Sequence, residues 1–587
     1  MIDSFVRRWL LMENWIGVKA RRFWLFVASF AVAFSRFVIV KLDLEHLYPM
    51  TDEAKMEKRL RKKQEEEPYV SGVTPLYRLL APPALIGFLA SVAIFAGASF
   101  QNSPFTLKIP GSWYFGIPAP SPIQGVIAPP GQGLFIGVVM VYGGMLVLLR
   151  AWYDIVKIVS RHPGVPVSRL VPIFVAWMLP MLIVAPLFSR DMYSYAAQGE
   201  MMSHHISPYR YGTATLGQGP FTTSVDKMWQ YVPSPYGPVF LTFDAWIVEA
   251  TGHNMLASVE GLRFLALLGV ALFAFAIPMI AKTFGRDGAV SFSLAVLNPL
   301  IILHLIGGGH NDALMLGLLA VGYALARKGH PVFGIIVCGL AAAVKVPAII
   351  GSLYIGWEYL GPNKSVKQRI LPVFVALAAT TVVIAVSAAV VGLGWGWVSG
   401  LSNPDTVRSW LDPATGLAIY GAKLVSNLGF GNHVSIFLTI ARGGGLALAG
   451  VLCYRLLLKS DEVGSLWAMG WSMLLVVVLS PVVQPWYASW GFVFLAPVAV
   501  GATRKMIVVL SAISCYVGLP GGRVLLHELA MANPWLVAAT SFVLVVIFVL
   551  ILVPRFAVSY RQRGQSMGFD SGTPDSDLED TRERAVF

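Results

Sequence analysis

SRDMYSY, residues 189–195, follows directly on a long apolar run. Residues 170–188 are almost wholly apolar, and a run of that length can cross the hydrocarbon core of a bilayer as a helix. Arg190 and Asp191 come next, and a long stretch rich in Tyr, Pro and Gly follows them. We therefore expect a carboxylate and a cation at the membrane surface, where polar chemistry on a lipid-borne substrate is possible.

The composition is that of a polytopic membrane protein. Of 587 residues, 56% are hydrophobic and 13% are charged, whereas ordinary soluble domains carry about 25% charged residues. The net charge of +13 does not indicate a nucleic-acid partner, because Lys and Arg lie mainly between apolar runs, as in cytoplasmic loops. Cys338, Cys453 and Cys515 lie in apolar stretches without metal-ligand spacing, so we expect neither disulfides nor a zinc site.

The apolar runs predict an all-α fold with about fourteen transmembrane helices and outward-facing catalytic loops. Several runs are shorter than the roughly 20 residues of a straight crossing, so broken helices or helices that end in a protein cavity are expected. The predicted spans are residues 79–99, 132–150, 170–188, 261–281, 289–306, 313–326, 331–345, 347–360, 370–392, 434–458, 465–482, 488–502, 505–519 and 534–554.

Three regions are expected along the chain. Residues 1–78 form a cytoplasmic N-terminal segment, in which 24–40 is a cationic apolar helix lying in the membrane interface or, alternatively, a further span. Residues 79–554 form the transmembrane domain, and residues 555–587 form a polar, acidic cytoplasmic tail. The basic residues between spans fall on one side if both termini are cytoplasmic. The long gaps that contain little Lys then face outward: 100–131, 189–260, 393–433 and 520–533.

Asp191 is the first candidate for chemistry. A helix over residues 190–202 would present four side chains on one face: Asp191, Tyr195, Gln198 and Met202. The charge of Arg190 beside that face would keep the carboxylate ionised, so Asp191 could accept a proton from a hydroxyl group or hold that group by hydrogen bonding. The alternative is structural, with Ser189 or Asp191 capping the helix that follows.

Tyrosines recur beside Pro and Gly through the same loop. Such turns are rigid and present aromatic faces, so Tyr193, Tyr195 and Tyr236 are candidates for stacking on a sugar and for bonding its hydroxyls. The alternative is an aromatic belt at the membrane interface. His204 and His205 predict no metal site, because adjacent side chains on one segment point apart.

The segment GGGHND, residues 307–312, stands between two predicted spans. Its glycines allow a tight turn or a close approach to a ligand. Asn311 or Asp312 would cap the next helix, or His310 and Asp312 would instead face a cavity. The sequence favours neither alternative, and all three residues are candidate substrate contacts.

Polar side chains also stand at other predicted outer ends of spans. Lys345 is alone in AAAVKVP, and an intramembrane cation is a functional hypothesis with a lipid phosphate as its partner, or else a side chain that snorkels to the surface. Arg408 is a second candidate cation. In QPWY, Gln484, Trp486 and Tyr487 are candidate binding residues at the membrane interface.

No nucleotide-binding signature of the types GxxxxGK[ST] or GxGxxG occurs in the chain. These glycine-rich loops are the usual means of cradling nucleotide phosphates. We therefore expect no cofactor, and a donor that arrives already attached to lipid.

Three motifs resemble the GT-C superfamily of polyprenyl-phosphosugar-dependent glycosyltransferases: SRDMYSYAAQGE (189–200), GGHNDALM (308–315) and QPWYASW (484–490). The chain is most similar to the actinobacterial polyprenol-phosphomannose-dependent α-1,6-mannosyltransferases of lipomannan synthesis, from about residue 79 to 554. The resemblance implies a multi-span fold and a catalytic base in an early outward loop. Here the base would be Asp191, because residues 100–131 contain no Asp or Glu.

The resemblance also implies a polyprenyl-phosphate mannose donor and transfer with inversion. We therefore expect a mannosyltransferase that acts on a lipid-linked mannan acceptor at the outer face of the cytoplasmic membrane, in lipomannan, lipoarabinomannan and cell-wall biogenesis. Lys345 and Arg408 would bind the phosphate, and His310 and Asp312 would bind donor or acceptor hydroxyls. The alternatives are a transporter or flippase of a lipid-linked sugar and a non-catalytic lipid-sugar binder.

Overall fold

The computed structural model describes residues 76–99, 133–400, 412–519 and 523–524. Within these ranges the fold is helical apart from one two-residue antiparallel pair, β1 (Gly518–Leu519) with β2 (Arg523–Val524). The predicted all-α class is confirmed. The predictions for residues 1–75, for Arg408, for the span 534–554 and for the acidic tail lie outside the described residues.

The α-helices follow one another in chain order and are numbered here for reference. They are α1 (Leu76–Ala98), α2 (Gly133–Arg161), α3 (Val171–Met178), α4 (Asp191–Ser203), α5 (Pro220–Ser224), α6 (Pro238–Ala250), α7 (Met255–Thr283), α8 (Gly288–Ala295), α9 (Asp312–Arg327), α10 (Pro331–Ala342), α11 (Ile349–Glu358), α12 (Val366–Val390), α13 (Gly396–Gly400), α14 (Pro413–Asn427), α15 (Val434–Leu458), α16 (Ser460–Val463), α17 (Ser465–Leu479), α18 (Ala488–Leu495) and α19 (Gly501–Val517).

Short helical turns of other types join these elements. The 3-10 turns are Val167–Arg169, Leu179–Leu182, Thr213–Leu216, Val346–Ala348, Pro485–Tyr487 and Ala496–Val498, and Ile301–Gly307 is a π-helix. Proline is at the first or second position of most of these 3-10 turns, where its missing N–H costs nothing.

Five helices within the described residues are long and apolar enough to cross a membrane: α1, α2, α7, α12 and α15. A helix rises about 1.5 Å per residue, so about 20 residues span a hydrocarbon core of about 30 Å. The shorter apolar helices include Val167–Leu182, α10 and α17. The protein is therefore a membrane protein with several apolar helices, and the total of about fourteen spans stays a prediction.

The apolar run 170–188 does not form one helix, so this predicted span is wrong. α3 ends at Met178, a 3-10 turn continues over Leu179–Leu182, and residues 183–190 have no regular secondary structure. Pro180 and Pro186 stand in this run, and proline removes a backbone donor and clashes with the preceding turn. The chain therefore enters α4 from an irregular segment rather than from the end of a span.

The predicted span 289–306 is also interrupted. α8 ends at Ala295, and the chain continues through Asn298 and Pro299 into the π-helix Ile301–Gly307. A π-helix is rare and occurs often at functional sites. Here it leads directly to His310 and to the start of α9.

The irregular segment before α4 lies against the segment before α9. The backbone N–H of Leu187 donates to the carbonyl of Gly307 at 3.3 Å. The buried guanidinium of Arg263 in α7 donates to the carbonyl of Leu182 at 3.0 Å and pairs with Glu260 at 2.9 Å. α4 also packs along α6, and α7 packs along α9. These contacts bring the first residues of α4 and α9 into one neighbourhood.

Candidate active site

Asp191 is the first residue of α4, and its carboxylate faces His310. The Oδ2 atom lies 3.3 Å from the His310 Nδ1, and the Asp191 side chain is 24% exposed while that of His310 is buried. The backbone N–H of Asp191 donates to the Ser189 hydroxyl at 3.1 Å. Ser189 thus bonds a backbone donor at the start of the helix, and the Asp191 carboxylate points toward another segment of the chain.

The environment favours the ionised form of Asp191. Burial by itself would raise the pKa of this carboxyl, but contact with His310, with a smaller contribution from Ser189, lowers the pKa below its ordinary value. The partial positive charge at the start of α4 acts in the same direction. The sequence predicted Arg190 as the charged neighbour, but in the described residues the basic partner of Asp191 is His310.

His310 is held flat against Trp486. The two ring centroids are 3.7 Å apart and the ring planes differ by 15°. Trp486 belongs to the 3-10 turn Pro485–Tyr487, and its indole also lies 5.9 Å from the buried ring of His304. Stacking on the indole fixes the plane of the His310 imidazole next to Asp191.

The turn before His310 requires glycine. Gly309 has a φ of 62°, and a Cβ atom at this position would lie 2.2 Å from the sulfur of Met192 in α4. Glycine adopts positive φ without cost and leaves room for close contact. Gly309 therefore allows His310 to approach the first turn of α4.

Asp312 is the first residue of α9 and forms a second acid–base pair. Its Oδ1 accepts hydrogen bonds from Lys345 Nζ at 2.9 Å and from Trp490 Nε1 at 2.6 Å. The Asp312 side chain is 0% exposed and that of Lys345 is 13% exposed. A charge in such a position has to be paired. Lys345 therefore points to Asp312 inside the protein, which is not the geometry of a snorkelling side chain.

Aromatic rings surround the Lys345 ammonium. Its Nζ lies 4.4 Å from the ring centroid of Tyr487, 5.2 Å from that of Trp490 and 5.9 Å from that of Tyr236. Such cation–π contacts stabilise an ammonium group away from bulk water. Lys345 is thus held by one carboxylate and an aromatic cage.

The capping alternative for Asn311 and Asp312 is wrong. Asn311 occupies the N-cap position of α9, but its side chain makes no capping hydrogen bond. The Asp312 carboxylate bonds Lys345 and Trp490 instead.

The loop after α4 reaches the site through Tyr236. The Tyr236 ring meets Tyr195 of α4 edge to face, with centroids 5.1 Å apart. The next residue, Gly237, donates its N–H to the carbonyl of Val344 at 3.0 Å, and a Cβ there would lie 2.1 Å from the carbonyl oxygen of Ala343. This docking against the segment before Lys345 fixes the position of Tyr236.

The structure gathers most of the predicted site residues into one cluster: Asp191, Tyr195, Tyr236, His310, Asn311, Asp312, Lys345, Trp486 and Tyr487. Gln198 supports it indirectly, because its Oε1 accepts from the Ser234 hydroxyl at 2.9 Å in the loop that carries Tyr236.

Tyr193 turns away from this cluster, whereas Arg190 and Gln484 adjoin it in the chain. Tyr193 is buried and interacts with the charges of Arg263 and Glu260. Residues two positions apart on a helix point to nearly opposite sides, so Tyr193 faces away from Asp191. Arg190 is the N-cap residue of α4, and Gln484 is that of the turn Pro485–Tyr487.

Sequence reasoning missed Trp490 and His304. Trp490 lies within the motif 484–490, and a buried indole N–H usually has a hydrogen-bond acceptor, so the sequence carried a signal for this residue. Its ring also lies 4.5 Å from that of Tyr487, three residues earlier. His304 had no such signal, because its placement depends on the π-helix Ile301–Gly307.

The fold and this site define a helical membrane protein with two acid–base pairs, each built on the first residue of a helix. Residues 85–361 match the family model described as alpha-(1->6)-mannopyranosyltransferase, N-terminal domain, and residues 414–553 match that of the MptB C-terminal domain. The chain belongs to this family of alpha-(1->6)-mannopyranosyltransferases.

Individual relatives agree with the family matches. The chain is 32% identical to alpha-(1->6)-mannopyranosyltransferase A of Mycobacterium tuberculosis, over 74% of this chain and 83% of the relative. It is 31% identical to alpha-(1->6)-mannopyranosyltransferase B of Corynebacterium glutamicum, over 73% of this chain and 74% of the relative. No solved structure matches the chain significantly. The predicted mannosyltransferase family is confirmed, and the alternative of a transporter or flippase is not favoured.

Proposed function

We propose that the protein moves mannose from a polyprenyl-phosphate donor to a lipid-linked mannan acceptor, forming an α-1,6 linkage with inversion. The observation that carries this proposal is the Asp191–His310 pair, in which an accessible carboxylate of lowered pKa lies 3.3 Å from a buried imidazole. The names of the relatives support mannosyl transfer and a mannan acceptor. The apolar helices support a donor and an acceptor that are held in the membrane.

Asp191 is the proposed general base. Its carboxylate accepts the proton of the acceptor hydroxyl while the hydroxyl oxygen forms a bond to C1 of mannose. The bond between C1 and the phosphate oxygen breaks on the opposite side, and its electron pair leaves with the phosphate. One base is sufficient because phosphate departs as an anion, and attack opposite the leaving group inverts the configuration at C1.

Lys345 is the proposed phosphate contact. An ammonium group has three N–H donors, and Asp312 accepts from it through Oδ1, so other donors remain for a phosphate oxygen. A fixed positive charge at this position stabilises the charge that develops on the leaving group. Arg408 is proposed as a second cation, and Arg190 as a further contact at the start of α4.

Asp312 receives a different role from the one that the sequence suggested. Its side chain is fully buried and its Oδ1 accepts from both Lys345 and Trp490, so we assign it to holding Lys345 rather than to a substrate hydroxyl. His310 and Asn311 keep the proposed role of hydroxyl contacts. The proposed sugar-facing residues are Tyr195, Tyr236, Gln484, Trp486 and Tyr487.

The topology belongs to the same proposal. Both termini and the regions 1–78 and 555–587 are placed in the cytoplasm, and the site opens to the outer face of the cytoplasmic membrane. The support is the clustering of Lys and Arg in alternate gaps between apolar runs. The proposed reaction uses no cofactor, because the donor is already activated by its phosphate.

The first prediction concerns Asp191→Asn. We expect a loss of about 10²–10⁴-fold in transfer rate, the usual contribution of a general base, with little change in thermal stability. The measurement uses the full-length protein in detergent with radiolabelled polyprenyl-phosphate mannose and a short α-1,6-mannan lipid, where transfer can be scored and transport cannot. Linkage analysis of the product identifies the bond formed.

Asp226→Asn is the matched control, because it makes the same change elsewhere in the polar region 189–260 that contains Asp191. The Asp226 carboxylate accepts from the backbone N–H of Met228 at 3.1 Å, a bond that the Asn side-chain oxygen can keep, so normal transfer is expected. Near-normal transfer by Asp191→Asn would overturn the assignment of the base. Movement of label across vesicles without any transfer in detergent would favour the transporter.

A further inference from the structure

A second polar cluster lies at the other end of α4, nine residues after Asp191 and so about 14 Å along the helix axis. Glu200 Oε1 lies 3.1 Å from His204 Nε2, and Glu200 Oε2 lies 2.8 Å from His253 Nδ1. The potential ligand atoms of the three residues all lie within 4.8 Å of one another. This cluster is separate from the Asp191–His310 pair.

Two independent segments supply the cluster. Glu200 lies in the last turn of α4 and His204 is the C-cap residue four positions later, so the two side chains lie on the same side of the helix end. His253 comes from the turn between α6 and α7, 53 residues after Glu200. Since α7 is apolar and long enough to cross a membrane, the cluster joins α4 to the start of a candidate span.

The backbone at His253 is specialised. His253 has a φ of 57° and follows Gly252, which has a φ of 63°. Few non-glycine residues adopt this region, and Asn, Asp and His enter it more readily than most. Strained residues of this kind cluster at functional sites. Here the strained turn directs an imidazole to Glu200, and the two His rings lie 6.0 Å apart.

The chemistry of the three side chains is that of a metal site. Two imidazoles and one carboxylate, with the fourth position open, form a donor set that Zn²⁺ uses, with bonds of about 2.1 Å and therefore donors about 3.4 Å apart in a tetrahedron. The observed separations of 3.1 Å and 2.8 Å are measured from different oxygens of Glu200, and one ligand atom from each of the three residues lies within 4.8 Å of the others. Small side-chain rotations would complete the geometry.

A cavity of about 490 Å³ lies beside two of the three residues. Glu200 and His204 contribute to its wall, together with residues of the following loop that include Ile206, Thr215 and Phe221. The side chains of His204 and His253 are 57% and 46% exposed, while that of Glu200 is 12% exposed. An ion held by the three residues would keep a coordination position open to water from this cavity.

We propose that Glu200, His204 and His253 bind one divalent transition-metal ion, with Zn²⁺ as the ion that fits the donor set. The ion ties the end of α4 to the turn between α6 and α7. The sequence predicts no metal site here, because the adjacent His204 and His205 point apart. This prediction does not include His253, which reaches Glu200 only through the packing of α4 against α6.

The test measures metal binding by the full-length protein in detergent, purified with a histidine-free tag and treated with a chelator. Co²⁺ is the probe, because its visible absorption reports coordination geometry, and Zn²⁺ then competes for the same site. We expect one Co²⁺ per chain, a tetrahedral-type spectrum, displacement by Zn²⁺ and a higher melting temperature with either ion. Asp191→Asn should bind Co²⁺ normally, which separates this proposal from the catalytic one.

Two variants that each remove one proposed ligand, and one control variant at a neighbouring histidine, test the assignment of the metal ligands. His204→Asn and His253→Asn each remove one ligand, and Asn tolerates the positive φ at residue 253. Changes outside the first coordination shell cost about 10–100-fold in affinity, so the loss of a ligand should weaken Co²⁺ binding by about 100-fold or more. His205→Asn, which changes the adjacent histidine with a φ of 59°, should bind Co²⁺ as the wild type does.

The competing explanation is that the two histidines form ion pairs with Glu200 without any metal. In that case Co²⁺ would not bind with a defined stoichiometry, and the variants would lose the same stability with and without metal. Either result would overturn the proposal. Equal loss of Co²⁺ binding in His205→Asn would overturn the assignment of the ligands.

Discussion

Asp191 and Asp312 are both the first residue of a helix, and both contact a basic side chain. The Asp191 carboxylate is 24% exposed and lies 3.3 Å from one partner, His310. The Asp312 carboxylate is fully buried and accepts hydrogen bonds from Lys345 and Trp490. Asp191 can therefore exchange a weak contact for a substrate hydroxyl, whereas Asp312 cannot leave its partners without exposing an unpaired charge to a low-dielectric interior.

Asp312→Asn should reveal the largest stability difference between the two carboxylates. Removing one member of a buried ion pair leaves the other charge unpaired and costs about 3–5 kcal/mol. Asp191→Asn should cost no more than about 1 kcal/mol, because its partly exposed carboxylate makes a single ion-pair contact, with His310 at 3.3 Å. The free energies of unfolding, or the melting temperatures in detergent, of the two variants provide the comparison.

The double variant Asp312→Asn with Lys345→Met is the control for this effect. Replacing a buried pair by uncharged residues of similar volume is often close to neutral, so the double variant should regain most of the lost stability. It should still transfer mannose poorly, because the proposed phosphate contact is gone. If Asp312→Asn were no less stable than Asp191→Asn, the distinction between the two carboxylates would be wrong.

Local patterns predicted the elements that carry both carboxylates. The helix over 190–202 corresponds to α4, and the glycines before His310 form the expected tight turn, because each depends on neighbours in sequence. The irregular chain over 183–190 and the π-helix over 301–307 were not predicted. Apolar composition alone predicts continuous spans, although prolines at 180, 186 and 299 interrupt the backbone hydrogen bonds.

The roles of the two carboxylates were beyond local patterns. Lys345 lies 33 residues from Asp312, and Trp490 lies 178 residues from it. In the sequence Asp191 follows Arg190 directly and Asp312 lies two residues after His310, yet the structure pairs Asp191 with His310 and Asp312 with Lys345. Only the packing of α4, α9 and the turn Pro485–Tyr487 decides these pairs.

Trp490→Phe tests how much the hydrogen bond from the uncharged indole of Trp490 to Asp312 contributes to stability. The change keeps a ring beside Lys345 but removes the indole N–H that bonds Oδ1 at 2.6 Å. A hydrogen bond to a charged group contributes about 1.5–3 kcal/mol, so the melting temperature should fall less than in Asp312→Asn. Stability in detergent is the measurement.

Trp471→Phe is the matched control for the loss of ring volume. Trp471 is buried in α17, and among the described residues its indole nitrogen has no hydrogen-bond partner. Trp490→Phe should therefore lose more stability than Trp471→Phe. Equal losses would mean that the hydrogen bond to Asp312 contributes nothing beyond packing.

The smallest expected effect is a shift in the acid limb of the pH profile of transfer activity. Asp191 has a folded-state pKa below its ordinary value of about 3.9. A group with a lowered pKa contributes stability above its unfolded pKa and loses it as pH falls through the folded value. Transfer should therefore persist as pH falls through the ordinary Asp range. Because His310 contributes most to lowering the pKa, His310→Gln should move the acid limb of kcat/KM to higher pH. An unchanged limb in that variant would mean that His310 does not control the protonation of Asp191.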